Sequence, residues 1–226
     1  KSISIIHRAL DAGINFIDTA DVYARGESEE IVGKALAGGR RDNVFLATKV
    51  HGTMGDDPNQ FGNSRRWIVA EVENSLRRLG TDWIDLYQIH RPELDTDIDE
   101  TLGALTDLVR SGKVRAIGSS TFPAEEIVEA QWVAERRAYE RFRCEQPPYS
   151  ILARGIERAV LPTCERYGMG VIVWSPLNGG WLTGKYKRGQ EYPKGTRASW
   201  GLMDGPETAH NQRKFDAIEQ LEKVAA

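Results

Sequence analysis

Short apolar runs rich in β-branched residues recur along this chain at close to the length of one strand-plus-helix unit, and that period constrains the fold more than any other feature. The runs are INFIDT from Ile14, VFLATKV from Val44, WIDLYQIH from Trp83, VRAIGSS from Val114, FRCEQ from Phe142 and GVIVWSPL from Gly170. Several are apolar on both faces, as parallel strands covered on two sides must be. Helical stripes lie between them: Ile31, Val32, Ala35 and Leu36; Ile68, Val72, Leu76 and Leu79; Leu102, Leu105, Leu108 and Val109. Each stripe follows the helical period and predicts a surface helix laid on a sheet. Ser64 is placed to cap the second helix, and Gly80 and Gly112 follow the last two where a left-handed residue ends a helix.

This alternation predicts an α/β fold, a (β/α)8 TIM barrel that is here incomplete, with about six βα units. An open six-stranded sheet is the competing topology. The 226 residues suit a single domain, residues 1–226, and no linker interrupts them. The chain starts at Lys1 in a helical pattern and closes on the helical EQLEKVAA, so the expectation is a barrel lacking strands at both ends. Two segments lack regular pattern, His51 to Asn63 and Lys187 to Pro206, and irregular loops at a sheet's C-terminal edge often cover ligands.

Composition narrows the partners. With a formal net charge of -3 there is no basic footprint for nucleic acid or an anionic membrane surface. No apolar run reaches the length of a membrane span and no signal-like segment opens the chain. The two cysteines, Cys144 and Cys164, fall in a strand and a helix and form neither a disulfide framework nor a ligand set, which suits a reducing, cytoplasmic setting. No His, Asp and Glu set has metal-ligand spacing, so no metal is expected. A small molecule or a protein remains as partner.

The chemistry concentrates at strand ends. Asp18 closes the first run with Tyr23 five residues on, Lys49 ends LATK, and His90 ends the third run. In a parallel sheet those ends share one edge, so the four polar groups can meet. Suppose hydride arrives at a carbonyl carbon while the oxygen rests on the Tyr23 phenol. Negative charge grows on that oxygen, and a positioned acid accelerates such a step by about 100-fold to 10,000-fold. A phenol, with an ordinary pKa of about 10, is a reluctant donor that a neighbouring ammonium improves. Lys49 is the candidate ammonium, Asp18 the carboxylate that orients it, and His90 the group that fixes the angle of the carbonyl. Structural ion pairs and packed histidines are the plain alternatives for any one of these residues. Ser119, Ser120, Thr121 and Gln146 can grip a carboxamide, Trp174 can stack on a planar ring, and the glycines of LNGGWLTGK with Lys185 and Arg197 can meet phosphate. Trp67, Trp181 and Trp200 either line the site or pack.

These residues resemble the aldo-keto reductase family, in a bacterial form related to the potassium channel β subunit branch. GINFIDTADVY, LATK, YQIHRP, GSSTF, EQPPYS and WSPLNGGWLTGKY stand in the family's order over nearly the whole chain. The resemblance implies an eight-stranded barrel using NADPH to reduce aldehydes or ketones to alcohols. It implies Tyr23 as general acid, Lys49 and Asp18 as its tuning pair, and His90 as the carbonyl-orienting group. Asp18, Ser120, Thr121 and Gln146 would contact the nicotinamide end and Trp174 would stack on it. Ser175, Pro176, Leu177, Asn178, Gly179, Lys185 and Arg197 would follow the rest of the cofactor. Many members carry Asn where Thr121 stands. The family's first strand, and its eighth with the basic adenosine-phosphate site, have no counterpart here, so NADP over NAD is implied by the resemblance alone. Potassium channel β subunits also look similar, and a cofactor-sensing binding module is the alternative; that group tends to have Asn where His90 stands. A Schiff-base aldolase acting through Lys49 is a third reading.

Overall fold

A computed structural model describes residues 1–201 and 205–225 of the chain, which form two compact units. The first comprises residues 1–146 and 159–172, and the second residues 147–158 and 173–226.

The first unit alternates helix and strand: α1 (Ser2–Asp11), β1 (Phe16–Asp18), α2 (Glu27–Leu36), β2 (Phe45–Val50), α3 (Arg65–Leu79), β3 (Ile84–Ile89), α4 (Ile98–Arg110), β4 (Val114–Ser120), α5 (Ala124–Arg137), β5 (Cys144–Gln146), α6 (Val160–Tyr167) and β6 (Gly170–Val171). All six strands pair in parallel, in chain order, as a curled half-barrel consistent with an incomplete (β/α)8 barrel. Each predicted run contributes one strand. The last is shorter than its apolar pattern: only Gly170 and Val171 enter the ladder, and Trp174 makes an isolated parallel bridge to Pro148. Apolar character gives a segment a face to bury, but a ladder also needs a neighbour in register.

The helical stripes face inward as their period requires. Val32, Ala35 and Leu36 of α2, Ile68, Val72, Leu76 and Leu79 of α3, and Leu102, Leu105 and Leu108 of α4 are buried. Covering a leucine- or isoleucine-sized side chain contributes about 1.5–3 kcal/mol, so each helix is held chiefly by this stripe. Ser64 caps α3 by accepting from the Trp67 amide at 3.3 Å, and Gly80 ends it at φ 63°, a conformation that strains any residue with a Cβ.

Registered neighbours in a parallel sheet point to the same side, so pairing sorts the strand residues into two faces. Asp18, Ala47, Leu86 and Ala116 are in register across β1 to β4, as are Lys49, Gln88, Gly118 and Cys144 across β2 to β5. Ala47, Leu86 and Cys144 form a small apolar cluster there, with Ala116 and Ile172 packed on it. The opposite face carries Leu46, Val50, Tyr87, Ile89 and Ile117 into the main core beneath the helices.

The second unit has its own core, in which Trp181, Tyr186, Ala198, Phe215 and Ile218 are buried. Its rings meet edge to face, Trp181 lying 4.9 Å from Phe215 and 5.2 Å from Tyr186 between centroids. Its helix α7 (Ala209–Ala225) accounts for the terminal helical pattern, whose last residue, Ala226, lies outside the described residues. The predicted irregular stretch Lys187 to Pro206 is turns and one short 3-10 segment, Ala198–Trp200; Leu202, Met203 and Asp204 within it lie outside the described residues.

Candidate active site

Parallel pairing carries the polar residues to one edge. Asp18 is the last residue of β1, Lys49 the penultimate residue of β2, His90 follows β3, and Ser120 and Gln146 end β4 and β5. Lys49 is fully buried and donates from Nζ to Asp18 Oδ2 at 2.6 Å and to the Thr19 carbonyl at 2.7 Å. Burial pulls its ammonium below the usual lysine range, and Asp18 opposes that pull by charge and hydrogen bond. Gln88 Nε2 donates to the other Asp18 oxygen at 3.3 Å. Gln88 shares a strand face with His90 by the period of two, so the signal for it was present in the sequence although the motif reading passed over it.

Tyr23 begins a short 3-10 turn after β1 and is 41% exposed. Lys49 Nζ lies 5.1 Å from the Tyr23 ring centroid, and the His90 ring meets that of Tyr23 at 5.6 Å, edge to face. His90 is held to about pKa 3 by burial first, then by the positive charges of Lys49 and Arg91 and by His51. It is therefore neutral across the physiological range and can donate one ring N–H without carrying charge. Asp18, Tyr23, Lys49 and His90 thus come together as the sequence predicted.

Of the predicted carboxamide-binding residues, Ser120 Oγ donates to the Gln146 carbonyl at 2.9 Å and the Thr121 amide donates to the same oxygen at 3.2 Å, so these three residues meet where the ends of β4 and β5 pair. Ser119 is turned away: its hydroxyl donates to Glu145 Oε2 at 2.5 Å on the other face of the sheet, because adjacent strand residues alternate. Thr121 adopts φ 63°, a left-handed conformation rare for a β-branched residue. Arg91, a residue the motif reading did not single out, reaches across to donate to Thr121 Oγ1 at 3.2 Å and to the His90 carbonyl at 2.6 Å.

In the second unit, Trp174, Ser175, Asn178, Gly179 and Arg197 line a cavity of about 580 Å³ together with Trp200 and Lys214. Pro176, Leu177 and Lys185 are not among its lining residues. Lys185 instead extends along the turn: a Cβ on Gly180, whose φ is 101°, would lie 2.4 Å from Lys185 Cε. Of the three tryptophans left open, Trp67 and Trp181 pack into cores, and Trp181 and Trp200 also border this cavity. Nothing in the sequence marked Lys214, which lies on α7 well beyond the motif.

Both cysteines are buried and unpaired, with thiols pushed up to about 12 for Cys144 and about 11 for Cys164 by burial. Among the described residues no helix is long and apolar enough to cross a membrane, and no group of three or more His, Cys, Asp or Glu could hold a metal ion.

A parallel half-barrel bearing an Asp–Lys ion pair, a phenol and a neutral imidazole at its C-terminal edge defines the class: an α/β barrel protein with its polar cluster on the strand ends. The sequence profile of the Aldo/keto reductase family matches residues 1–226, and the chain belongs to that family. It is 45% identical over 192 residues to the uncharacterized oxidoreductase YrpG of Bacillus subtilis, an alignment covering 80% of this chain and 59% of that protein. The aldo-keto reductase YhdN of the same organism is 38% identical over 234 residues, 99% of this chain and 66% of its own. A putative voltage-gated potassium channel subunit beta of Schizosaccharomyces pombe is 36% identical over 227 residues, 97% and 65% of the two chains. The chain spans less than two thirds of the length of each of these relatives.

Proposed function

We propose that this protein is an NADPH-dependent oxidoreductase that reduces an aldehyde or ketone to the alcohol, with Tyr23 as general acid. The observation that carries the reading is the convergence of Lys49, Asp18, Tyr23 and His90 at one sheet edge, with the ammonium 2.6 Å from the carboxylate and 5.1 Å from the phenol ring. A bound nicotinamide cofactor would supply hydride to the carbonyl carbon. His90, neutral and beside the phenol, donates to the carbonyl oxygen and sets its angle. Tyr23 hands its proton to that oxygen as charge develops, and Lys49 stabilises the phenolate left behind. Asp18 holds Lys49 in place, and Gln88 holds Asp18.

The residues suit such a cofactor within each unit. In the first, the Ser120–Thr121 turn and the Gln146 side chain present polar groups that match a carboxamide. In the second, the partly exposed indole of Trp174 offers a face to a planar ring, and Ser175, Asn178, Gly179 and Arg197 supply polar groups and charge around the cavity. Pro176, Leu177 and Lys185 belong to the same cofactor-binding segment. The preference for NADP over NAD, a small-molecule carbonyl as partner, a cytoplasmic location, and membership of both units in a single barrel domain over residues 1–226 are part of this proposal; the family match across the whole chain supports them.

The test is Tyr23→Phe. Reduction of a reactive aldehyde such as 4-nitrobenzaldehyde should fall by at least about 100-fold with cofactor affinity unchanged; retained turnover removes Tyr23 from the role. The channel-subunit relatives favour a second reading, a cofactor-sensing partner of a membrane channel. Co-purification of a channel with no turnover of any carbonyl would put it first.

A further inference from the structure

Asp21 lies between the proposed ion-pair carboxylate and the proposed acid, yet has no part in the chemistry above. It is fully buried. Its Oδ1 accepts the Val22 amide at 2.6 Å, and its own amide donates to the Lys49 carbonyl at 3.2 Å. One side chain and its backbone thus tie the residues just before Tyr23 to the end of the strand that carries Lys49. The same two segments touch again at Gly52, where an added Cβ would lie 2.6 Å from the Val22 Cβ. Only a residue with no side chain permits that approach.

We propose that Asp21, with Gly52 beneath Val22, is a positioning clamp that sets the Tyr23 phenol against Lys49. The inference rests on the carbonyl-reductase reading for its catalytic meaning, but the clamp itself is a property of the fold.

The surroundings of Asp21 favour its neutral form. Acting on it are Glu29 from α2, Glu71 from α3, Tyr87 from β3 and Lys49 from β2. Arg78 is already bonded to both Glu29 and Glu71, so a further negative charge there has no cation of its own on that side. Asp21 Oδ2 is buried without a hydrogen-bond partner, as is the Tyr87 hydroxyl. Burial first, then Glu71 and Glu29, raise the carboxyl to about 8. A neutral clamp can be copied by an amide of the same shape, which separates it from a carboxylate needed for its charge.

The experiment compares Asp21→Asn, Asp21→Ala and Gly52→Ala with the unsubstituted protein and with Tyr23→Phe, using 4-nitrobenzaldehyde and NADPH across pH 5–10. Asp21→Asn should keep kcat within about threefold, whereas Asp21→Ala should lower it by about tenfold or more with substrate KM and cofactor affinity unchanged, as small displacements of a reacting group do. Any fall in kcat that ionisation of Asp21 causes as pH rises through about 8 should be absent in Asp21→Asn. Equal kcat in Asp21→Ala and the unsubstituted protein overturns the clamp. Should Asp21→Ala not fold, Gly52→Ala tests the second contact between the same two segments, and an unchanged kcat there overturns the clamp as well.

If the unsubstituted protein turns over no carbonyl, the functional reading fails separately, and amide exchange and melting still decide the clamp. The Val22 amide should then lose protection in Asp21→Ala and keep it in Asp21→Asn. A carboxyl raised from 3.8 to about 8 on folding stabilises fully below about pH 4, and that stability drains away as pH climbs to 8. Melting temperature should therefore fall over that window relative to Asp21→Asn. Parallel curves together with unchanged exchange would overturn the proposal.

Discussion

Replacing Lys49 by Met separates the charge of this side chain from its bulk. Methionine has a similar reach and stays apolar, so the space that the fully buried Lys49 side chain occupies remains filled while the ammonium is removed. What is lost is a positive charge 5.1 Å from the centre of the Tyr23 ring. With an effective dielectric of about 20, that charge stabilises the phenolate forming during proton transfer by about 3 kcal/mol, on the order of 100-fold in rate. Asp18 retains the Gln88 amide and is partly exposed, so its lost partner costs less than an ion pair broken in a dry interior would. The assay is steady-state reduction of a reactive aldehyde by Lys49→Met, with cofactor affinity read by fluorescence titration and cooperative melting as the check on folding. A fall of about 100-fold in kcat with unchanged cofactor affinity is expected. Asp18→Asn should shift activity the same way, because it removes the group that opposes the downward pull of burial on Lys49. A folded Lys49→Met that keeps kcat within about threefold refutes electrostatic tuning by Lys49. Trapping of substrate on Lys49 by borohydride would refute it too, by assigning the amine to covalent chemistry.

Other substitutions test the frame around the site. His90 should contribute no ionisation to the activity profile between pH 5 and 8, because its folded value is about 3. Since that value is depressed from 6.5, the stability it confers is present above about pH 6.5 and lost as pH falls toward 3, and His90→Gln should flatten this part of a melting-temperature profile. Gly33→Ala would place a Cβ 2.5 Å from the Leu79 carbonyl oxygen and 2.8 Å from that of Arg78, where helices α2 and α3 meet through backbone. Overpacking of this kind costs about 1–3 kcal/mol, or about 2–12 °C in melting temperature, measurable by circular dichroism. Thr121→Asn should raise the melting temperature by about 2–4 °C, because asparagine tolerates φ 63° while its carbonyl can still accept from Arg91. A lower melting temperature would show that the threonine methyl contributes more than the strain costs.

Much of the site was legible because it depends on edges. Asp18, Lys49 and His90 stand where their apolar runs stop, and in parallel strands every such end faces the same way, so convergence followed from the period alone. Ser119 shows the limit of that reasoning. It shares the GSST motif with Ser120, but the alternation of side chains sends it to Glu145 behind the sheet, and only the strand register decides which of two adjacent serines faces the site. Asp21 shows a second limit. In the string DTADVY it reads as one more loop acid; its neutral form is favoured by burial and by the charges of Glu71 and Glu29 on two separate helices, a neighbourhood that no local pattern encodes.

The chain's own order of residues therefore determined the alternating fold, the helix stripes and caps, and which strand ends carry an acid, an amine and an imidazole. These are local matters of hydrophobic period and backbone preference. Tertiary structure alone decided that Lys49 is sealed from water against Asp18, that His90 is kept neutral by burial and then by its charged neighbours, and that Asp21 pins the segment before Tyr23. Those properties arise from desolvation and from charges many residues apart in the chain, and they exist only once the helices have closed over the sheet.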